Sequence, residues 1–183
     1  MSLLKIKQLQ SWDSSDWYLR AESLNISGAA KLLHQDYKGP TLNAQDDALM
    51  KDITISPSAV KQTFNKSVLD AVKNLCPEPK YSSLNVNTLL GFVAEADLVL
   101  NASAQPLNVG DYSNLFGQKE PAKPLPEGAQ RVAVVCASFQ DCLLGGELAG
   151  VTAFNVKLLV ASGYQVLLVK HTHWPASDNQ VSR

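Results

Sequence analysis

The sequence predicts an α/β protein in which helices flank a core sheet and a helical segment precedes it. The clearest sign is a strand–turn–helix–strand succession between residues 131 and 169. A helix with one apolar stripe, residues 56–76, and an apolar strand, residues 89–101, come before it. Because strands joined through a helix form a sheet that helices must cover, this succession favours the α/β class. In the first 55 residues the patterns are weaker, and a short helix is predicted to end at Gly39-Pro40.

The helix of residues 56–76 has clear start and stop signals. Ser56 is a favourable N-cap, Pro57 fits the first turn, and Pro77 ends the helix after Cys76. Apolar side chains recur at spacings of three and four, which places them on one face that packs against a core. The residues of this face are Val60, Phe64, Val68, Val72 and Leu75.

The strand predicted from Leu89 to Asn101 carries two acidic residues. Glu95 and Asp97 are two positions apart, so a regular strand would project both carboxylates from the same face. The strand ends in the apolar run Leu-Val-Leu, which indicates a buried position in the sheet. Residues 101–130 then have the proline and glycine content of a long loop.

The strand–turn–helix–strand unit supplies the rest of the predicted sheet. Its helix is apolar on almost every side except at Asn155 and Lys157, so we expect it to be buried between layers, with Thr152 as its N-cap. The four parts are a strand over Arg131–Ala137, a turn-rich connection over Phe139–Gly150, a helix over Thr152–Ala161 and a strand over Tyr164–Val169.

Composition narrows the class of function. An apolar fraction of 45%, a charged fraction of 18% and a net charge of −1 describe an ordinary globular chain. Any contact with nucleic acid must therefore come from a local basic patch rather than from the chain as a whole. No apolar run is long enough for a membrane helix, and the first ten residues resemble neither a signal peptide nor a mitochondrial presequence.

The glycine-rich segment GGELAG lies where a phosphate-binding loop would lie, between a strand and a helix. Gly145 and Gly150 have the required separation, but Val151-Thr152 follows where lysine and a hydroxyl residue are needed. Without the lysine nothing neutralises the β- and γ-phosphates, so a P-loop is not predicted. A protein kinase is excluded too, because the sequence has no glycine-rich nucleotide loop, no His-Arg-Asp motif and no Asp-Phe-Gly motif.

Metal catalysis is the enzymatic alternative that the acidic strand suggests. Metal-dependent nucleases hold a divalent ion with such a carboxylate, together with a second acid and a lysine on the neighbouring strand. The neighbouring strand here offers Val135 and Ala137 at the corresponding points, and no lysine. Glu95 and Asp97 are thus the catalytic candidates of this alternative, with Mg²⁺ or Mn²⁺ as cofactor on this alternative alone. Otherwise we predict no cofactor and no metal site.

Taken in order, the residues from Val132 to Trp174 resemble a RAP domain, the C-terminal module of the FAST kinase domain-containing family. Upstream, the segment DYKGPTL (Asp36 to Leu42) resembles the family's Tyr-x-Gly-Pro turn, and residues 67–101 resemble its second FAST kinase-like subdomain. The matching features of the RAP domain are Val132-Ala133, Cys142, Gly150, Leu158-Leu159, Gly163-Tyr164-Gln165-Val166 and Trp174.

The resemblance implies a restriction-endonuclease-like (PD-(D/E)XK-type) core, mitochondrial localisation and a role in the processing or stability of mitochondrial transcripts. Despite its name, the family is not established as a family of kinases. The implied parts of the chain are a partial FAST kinase-like helical segment over residues 1–55, FAST kinase-like subdomain 2 over 56–110, a loop over 111–130 and the RAP domain over 131–183.

The chain departs from the family at the positions where nuclease chemistry would take place. Many RAP domains carry acids at the positions of Val135 and Ala137, a basic residue at Asn155 and an acid at His173. These departures weaken a nuclease function more than they weaken RNA binding. Asp97 and Lys157 are the plausible remnants of such a site.

We therefore predict an RNA-binding module without catalysis of its own. Basic side chains would contact phosphates, and aromatic or imidazole rings would stack on bases. The alternatives are a metal-dependent ribonuclease that uses Asp97 and a protein-interaction module that contacts no nucleic acid. The predicted RNA contacts are Arg131, Lys157, Tyr164, Lys170, His171, His173 and Trp174, with Lys123 as a further basic candidate.

Overall fold

The computed structural model of the chain describes residues 26–39, 59–88, 92–112 and 123–174. The chain divides into two compact units. The first is formed by Met1–Ile55 with Asn87–Phe92, and the second by Ser56–Val86 with Val93–Arg183. The predicted helix start at Ser56 and Pro57 lies outside the described residues.

The first unit contains helix α1, which the structure describes over residues 26–33. After it the chain turns, with the amide of His34 donating to the carbonyl of Ala30 and that of Tyr37 to the carbonyl of His34, both at 3.0 Å. A Cβ atom on Gly39 would overlap the side chain of Tyr37. The structure thus contains a helix before Gly39-Pro40, as predicted, but this helix ends at residue 33 rather than at the Gly-Pro pair.

A mixed five-stranded sheet forms the centre of the second unit. Its long strands lie in the order β1-β2-β4-β5, and the short strand β3 pairs with the end of β2. β2 and β4 are antiparallel, whereas β4 and β5 are parallel and joined through helix α3, as a parallel connection requires. The elements are α2 over Ala59–Leu75, β1 over Ser82–Asn87, β2 over Val93–Leu100, β3 over Pro106–Leu107, β4 over Gln130–Ala137, α3 over Gly150–Ala161 and β5 over Gln165–Lys170.

Helices α2 and α3 cover opposite faces of the sheet. Leu159 of α3 packs against Ala133 and Val135, which point to one face of β4. Val68 of α2 packs against Val134, which points to the other face. Because β4 is buried on both faces, its side chains from Val132 onward are apolar without interruption. The prediction of a sheet flanked by helices is confirmed, and no helix in the described part of the chain is long and apolar enough to cross a membrane.

Two strands were not predicted. β1 lies in the polar segment SSLNVN, in which only Leu84 and Val86 alternate with polar residues. β3 lies within the predicted long loop, followed by a 3-10 turn over Val109–Tyr112. Both strands form because β2 offers backbone partners beside them, which local sequence does not reveal.

Among the described residues, helix α3 is covered on one side only, which corrects the prediction that it is buried between layers. Thr152 and Asn155 are buried, whereas Val151 and Val160 are 66% and 56% exposed. A helix that is apolar nearly all round has no periodic signal to orient it. The sequence therefore does not show which side faces the sheet, and in the structure the buried side includes Asn155.

The alternation of side chains is interrupted in β2. Ala94 packs in the core on the α3 side of the sheet, and Ala96 packs in the core on the α2 side. In a regular strand, residues two positions apart share a face, so Ala94 and Ala96 would lie on the same side of the sheet. Because they pack on opposite sides, β2 contains one extra residue at this point, as in a β-bulge. Glu95 and Asp97 consequently point to opposite faces, and the prediction that they share a face is wrong.

Glu95 connects the irregular part of β2 to both of its neighbours. Its Oε1 accepts a hydrogen bond from Nδ2 of Asn65 in α2 at 2.8 Å, and its Oε2 accepts one from the backbone amide of Cys136 in β4 at 2.7 Å. The regular pairing of β2 with β4 ends at Ala96 and Val134. Beyond that point, the carboxylate of Glu95 provides an acceptor for the next amide of β4.

We expect Glu95→Ala to lower the free energy of unfolding by about 2–4 kcal/mol, because it removes the acceptor of one buried and one partly buried donor. Urea denaturation of the purified chain measures the change. Glu147→Ala is the matched control, since Glu147 is exposed and its loss should change stability by about 0.5 kcal/mol or less. Equal stability of the two variants would contradict the structural role of Glu95.

Candidate functional site

The carboxyl ends of β4 and β5 meet at one edge of the sheet, because the two strands are parallel. Ala137, the last residue of β4, pairs with Lys170, the last residue of β5. The chain leaves β4 through residues 138–149 and leaves β5 through residues 171–174, so these segments are neighbours. We call this surface, residues 138–149 and 170–174, the carboxyl edge.

Asp141 organises the first segment of the carboxyl edge. Its Oδ2 accepts hydrogen bonds from the backbone amide and the hydroxyl of Ser138, at 2.9 and 2.6 Å. Its Oδ1 accepts one from the hydroxyl of Thr152 at 2.9 Å. The N-cap of α3 is Ala149, which makes no side-chain cap bond, so the prediction of Thr152 as N-cap is wrong. Thr152 instead ties the first turn of α3 to Asp141.

The glycine-rich segment forms a tight turn rather than a phosphate cradle. The amide of Leu143 donates to the carbonyl of Glu147 at 2.7 Å, and Gly146 adopts a φ of 79°, which favours glycine. The amino end of a helix attracts negative charge, and in α3 the carboxylate of Asp141 already supplies it. A phosphate at the same place would be repelled by that carboxylate, in agreement with the missing P-loop lysine.

The second segment of the carboxyl edge packs against the first. Nζ of Lys170 donates to the carbonyl of Gly146 at 2.8 Å. The rings of Phe139 and His171 meet at an interplanar angle of 76°, with their centroids 6.3 Å apart. Phe139 is 65% exposed although it is a large apolar residue. A basic side chain, an imidazole and an exposed aromatic ring are thus adjacent on this surface.

The predicted RNA contacts fall into accessible and buried positions. Lys157 and His173 are exposed, and Trp174 is half-buried against the core on the α2 side. Arg131 and Tyr164, however, are only 8% and 4% exposed. Because an RNA strand cannot reach side chains in the core, we correct these two residues from RNA contacts to structural residues.

Arg131 and Tyr164 form a buried cluster with Asp97 on the α3 side of the sheet. Nη1 of Arg131 donates to the hydroxyl of Tyr164 at 3.3 Å, and the guanidinium carbon lies 5.5 Å from the centre of the Tyr164 ring. The guanidinium also donates to the carbonyl of Tyr112. Asp97 is 1% exposed and is placed beside this group by the pairing of β2 with β4.

The environment of Asp97 favours its protonated form. Burial raises the pKa of Asp97 from 3.8 to about 6, while the charge of Arg131 and the hydroxyl of Tyr164 oppose the rise. Among the described residues neither carboxylate oxygen has a hydrogen-bond partner, and the charge of Arg131 and the hydroxyl of Tyr164 offset only part of the effect of burial. Loss of water around the carboxylate is therefore the dominant effect.

The cluster does not fit a divalent metal ion. Asp97 faces the positive charge of Arg131, and Glu95 lies on the opposite face, where Asn65 and Cys136 occupy its oxygens. Val135, where many RAP domains carry an acid, lies on the same side of the sheet as Asp97 and provides no metal ligand. No group of three potential His, Cys, Asp or Glu ligands occurs in the ranges that the structure describes.

Phe139 and the Ser138–Asp141 turn were not predicted as parts of a site. The sequence does contain a signal for the turn, since Ser138 and Asp141 have the S-x-x-D spacing of a capping box, which the structure forms. The exposure of Phe139 has no such signal, because an aromatic residue beside an apolar strand is expected in the core.

The fold and site define a mixed α/β unit with a buried carboxylate–guanidinium–phenol cluster and a basic, partly aromatic edge. Residues 21–108 match a family model described as FAST kinase-like protein, subdomain 2. This finding and the relatives below confirm the resemblance to FAST kinase domain-containing proteins. The assignment of residues 131–183 to a RAP domain stays a prediction.

Three curated relatives carry the name FAST kinase domain-containing protein 4. The chain is 29% identical to the one from Rattus norvegicus and 28% identical to the one from Mus musculus, over 174 residues in each case, which are 93% of this chain and 27% of the relative. It is 25% identical to the one from Homo sapiens over 156 residues, 82% of this chain and 24% of the relative. The chain thus spans about a quarter of the length of the relatives it matches. No solved structure matches it significantly.

The raised pKa of Asp97 predicts a pH-dependent stability. Below about pH 4 the carboxyl group of Asp97 is protonated in the folded and unfolded states alike. Burying it in the folded state then costs little free energy of folding. As the pH rises through about 6, the folded state must hold a buried charge, and the stabilising effect of the raised pKa is lost. We expect the stability of the wild type relative to Asp97→Asn to fall by up to about 3 kcal/mol between about pH 4 and pH 7.

Urea denaturation of both proteins across this pH range measures the difference. Asp111→Asn is the control, because Asp111 is not among the core residues. A difference between wild type and Asp97→Asn that stays constant with pH would contradict the assignment.

Proposed function

We propose that this chain is an RNA-binding module related to the FAST kinase domain-containing family, acting in the processing or stability of mitochondrial transcripts without catalysis of its own. The similarity to FAST kinase domain-containing protein 4 extends over 93% of the chain, and the mitochondrial and RNA-related role is the one that the family resemblance implies. The observation that carries the proposal is the carboxyl edge, where Lys170 and His171 adjoin an exposed aromatic ring and His173 is exposed.

The restriction-endonuclease-like core and the RAP domain belong to the same proposal. A mixed sheet with one parallel pair and a helix on each face is compatible with such a core. The RAP domain would supply β4, α3 and β5, and the FAST kinase-like subdomain would supply α2 and β1 to β3. Because β2 and β4 pair along five positions of each strand, the two modules would form one folding unit.

The surroundings of Asp97 support a function without catalysis. A metal-dependent ribonuclease would need Asp97 to reach an ion and a phosphate, yet this side chain is buried beside Arg131. The ribonuclease alternative therefore requires the guanidinium to move away and the sheet to open. We accordingly propose no resident metal ion or other cofactor.

A protein-interaction module is the second candidate, and one observation favours it. Leu143 and Leu144 are both exposed in the connection between β4 and α3. Exposed apolar side chains that lie together are a feature of protein contact sites. The basic residues beside the two leucines favour RNA as the partner, because their positive charges attract phosphates. A protein partner would need acidic groups to pair with the same charges.

We expect the purified chain to bind single-stranded RNA with an affinity that falls steeply as salt increases, because phosphate contacts release counterions. Lys157→Ala and Lys170→Ala should each weaken binding and lower the slope of log affinity against log salt by about one unit. Fluorescence anisotropy at several salt concentrations measures both quantities. Lys66→Ala is the matched control, since Lys66 is exposed on α2, which covers the opposite face of the sheet from α3.

Three outcomes would contradict the proposal in different ways. RNA binding that does not depend on salt or on either lysine would place the interface elsewhere. RNA cleavage in the presence of Mn²⁺ that disappears in Asp97→Asn would show that the module is a ribonuclease. No binding of RNA at any salt concentration would leave the protein-interaction function as the better account of the surface.

A further inference from the structure

We propose that Phe139 is a stacking platform for an unpaired base of the bound RNA. The inference rests on RNA binding at the carboxyl edge and names the chemistry that the edge recognises. Phe139 is 65% exposed, whereas a ring of this size is ordinarily buried in a folded chain. Aromatic rings presented to solvent beside basic residues are the usual way in which proteins hold single-stranded nucleic acid.

The backbone around Phe139 is held in place on both sides. Ser138 donates to the carboxylate of Asp141, and the amide of Asp141 donates back to the carbonyl of Ser138 at 3.0 Å. The amide of Cys142 donates to the carbonyl of Phe139 at 3.3 Å. Asp141 is in turn bonded to Thr152 in α3. The ring therefore projects from a fixed turn, which lowers the entropy that binding a base would cost.

The ring of His171 sets the orientation of Phe139 and leaves room on it. The two rings are nearly perpendicular, so His171 covers at most one face of the Phe139 ring. The high exposure of Phe139 shows that the remaining surface is open to solvent. A flat base can stack on that surface, and His171, which follows β5 directly in a 3-10 turn, borders it.

The charges around Phe139 suit the phosphates on either side of a stacked base. Lys170 uses one N–H donor for the carbonyl of Gly146, which leaves two of the three donors of an ammonium group for a phosphate. His173 is exposed three positions farther on. Glu147 is an exposed carboxylate in the same connection and opposes phosphate binding, so Glu147→Gln should bind RNA at least as tightly as the wild type.

The base must be unpaired, because stacking on a side chain needs a free face. In a duplex both faces of a base are already stacked on its neighbours. The platform therefore selects single strands, loops or bulges without selecting a sequence, since every base has a face that can stack.

Binding of a single-stranded RNA that carries a fluorescent adenine analogue tests the proposal, because stacking quenches the analogue. We compare the wild type with Phe139→Leu, which keeps an apolar side chain, and Phe139→Trp, which keeps an aromatic one. Phe139→Leu should bind roughly tenfold more weakly and lose the quenching, while Phe139→Trp should retain both. The slope of log affinity against log salt should not change, because stacking releases no counterions. A duplex of the same sequence should be unaffected by either substitution.

The outcomes separate this inference from the proposed function. If Phe139→Leu binds and quenches as the wild type does, the stacking role is wrong while RNA binding stands. If the wild type binds no RNA, both fail.

Leu144→Ala is the control, since Leu144 is exposed in the same connection. An equal loss of affinity in Leu144→Ala and Phe139→Leu, without quenching in the wild type, would show a general apolar contact and overturn the stacking role. Thermal melts of each variant confirm that the fold is unchanged.

Discussion

The antiparallel pairing of β2 with β4 is the contact on which the rest of the second unit depends. It joins two strands that are separated in the sequence by residues 101–129. The same pairing brings Asp97 close to Arg131 and Glu95 close to Cys136. A chain that contained only one of the two strands would leave a backbone edge and several polar side chains without partners. The long connection between the two strands is therefore not a boundary in the fold.

The irregularity in β2 decides what the two acidic residues do. In a regular strand, Glu95 and Asp97 would converge on one face and could share a divalent ion. With one extra residue accommodated, Glu95 bonds to α2 and β4, and Asp97 enters the core on the other side. Arg131 provides the positive charge beside Asp97 that a metal ion provides in a nuclease site. The sheet is thus compatible with a nuclease-like shape, but its charges are balanced internally.

The parts of the fold that could be predicted are those whose signal is local and strong. β4, α3 and β5 were placed to within two residues, because buried parallel strands and their crossover helix form continuous apolar runs. β1 was missed, since a strand with few apolar residues depends on its neighbour. The opposite orientations of Glu95 and Asp97 could not be predicted either, because a bulge follows from the pairing of two strands. For the site, Lys170 and His171 were identified by residue type, whereas the exposure of Phe139 depends on the Ser138–Asp141 turn.

We propose that the carboxyl edge is the surface at which this chain meets RNA. A crosslinking map of single-stranded RNA on the purified chain tests it most directly, because it requires no substitution and covers every residue. We expect the crosslinked peptides to come from the carboxyl edge, residues 138–149 and 170–174, and from the segment around Lys157, with Phe139, Lys170 and His171 among the labelled positions. Labelling confined to residues 1–55, or spread evenly over the chain, would contradict the claim.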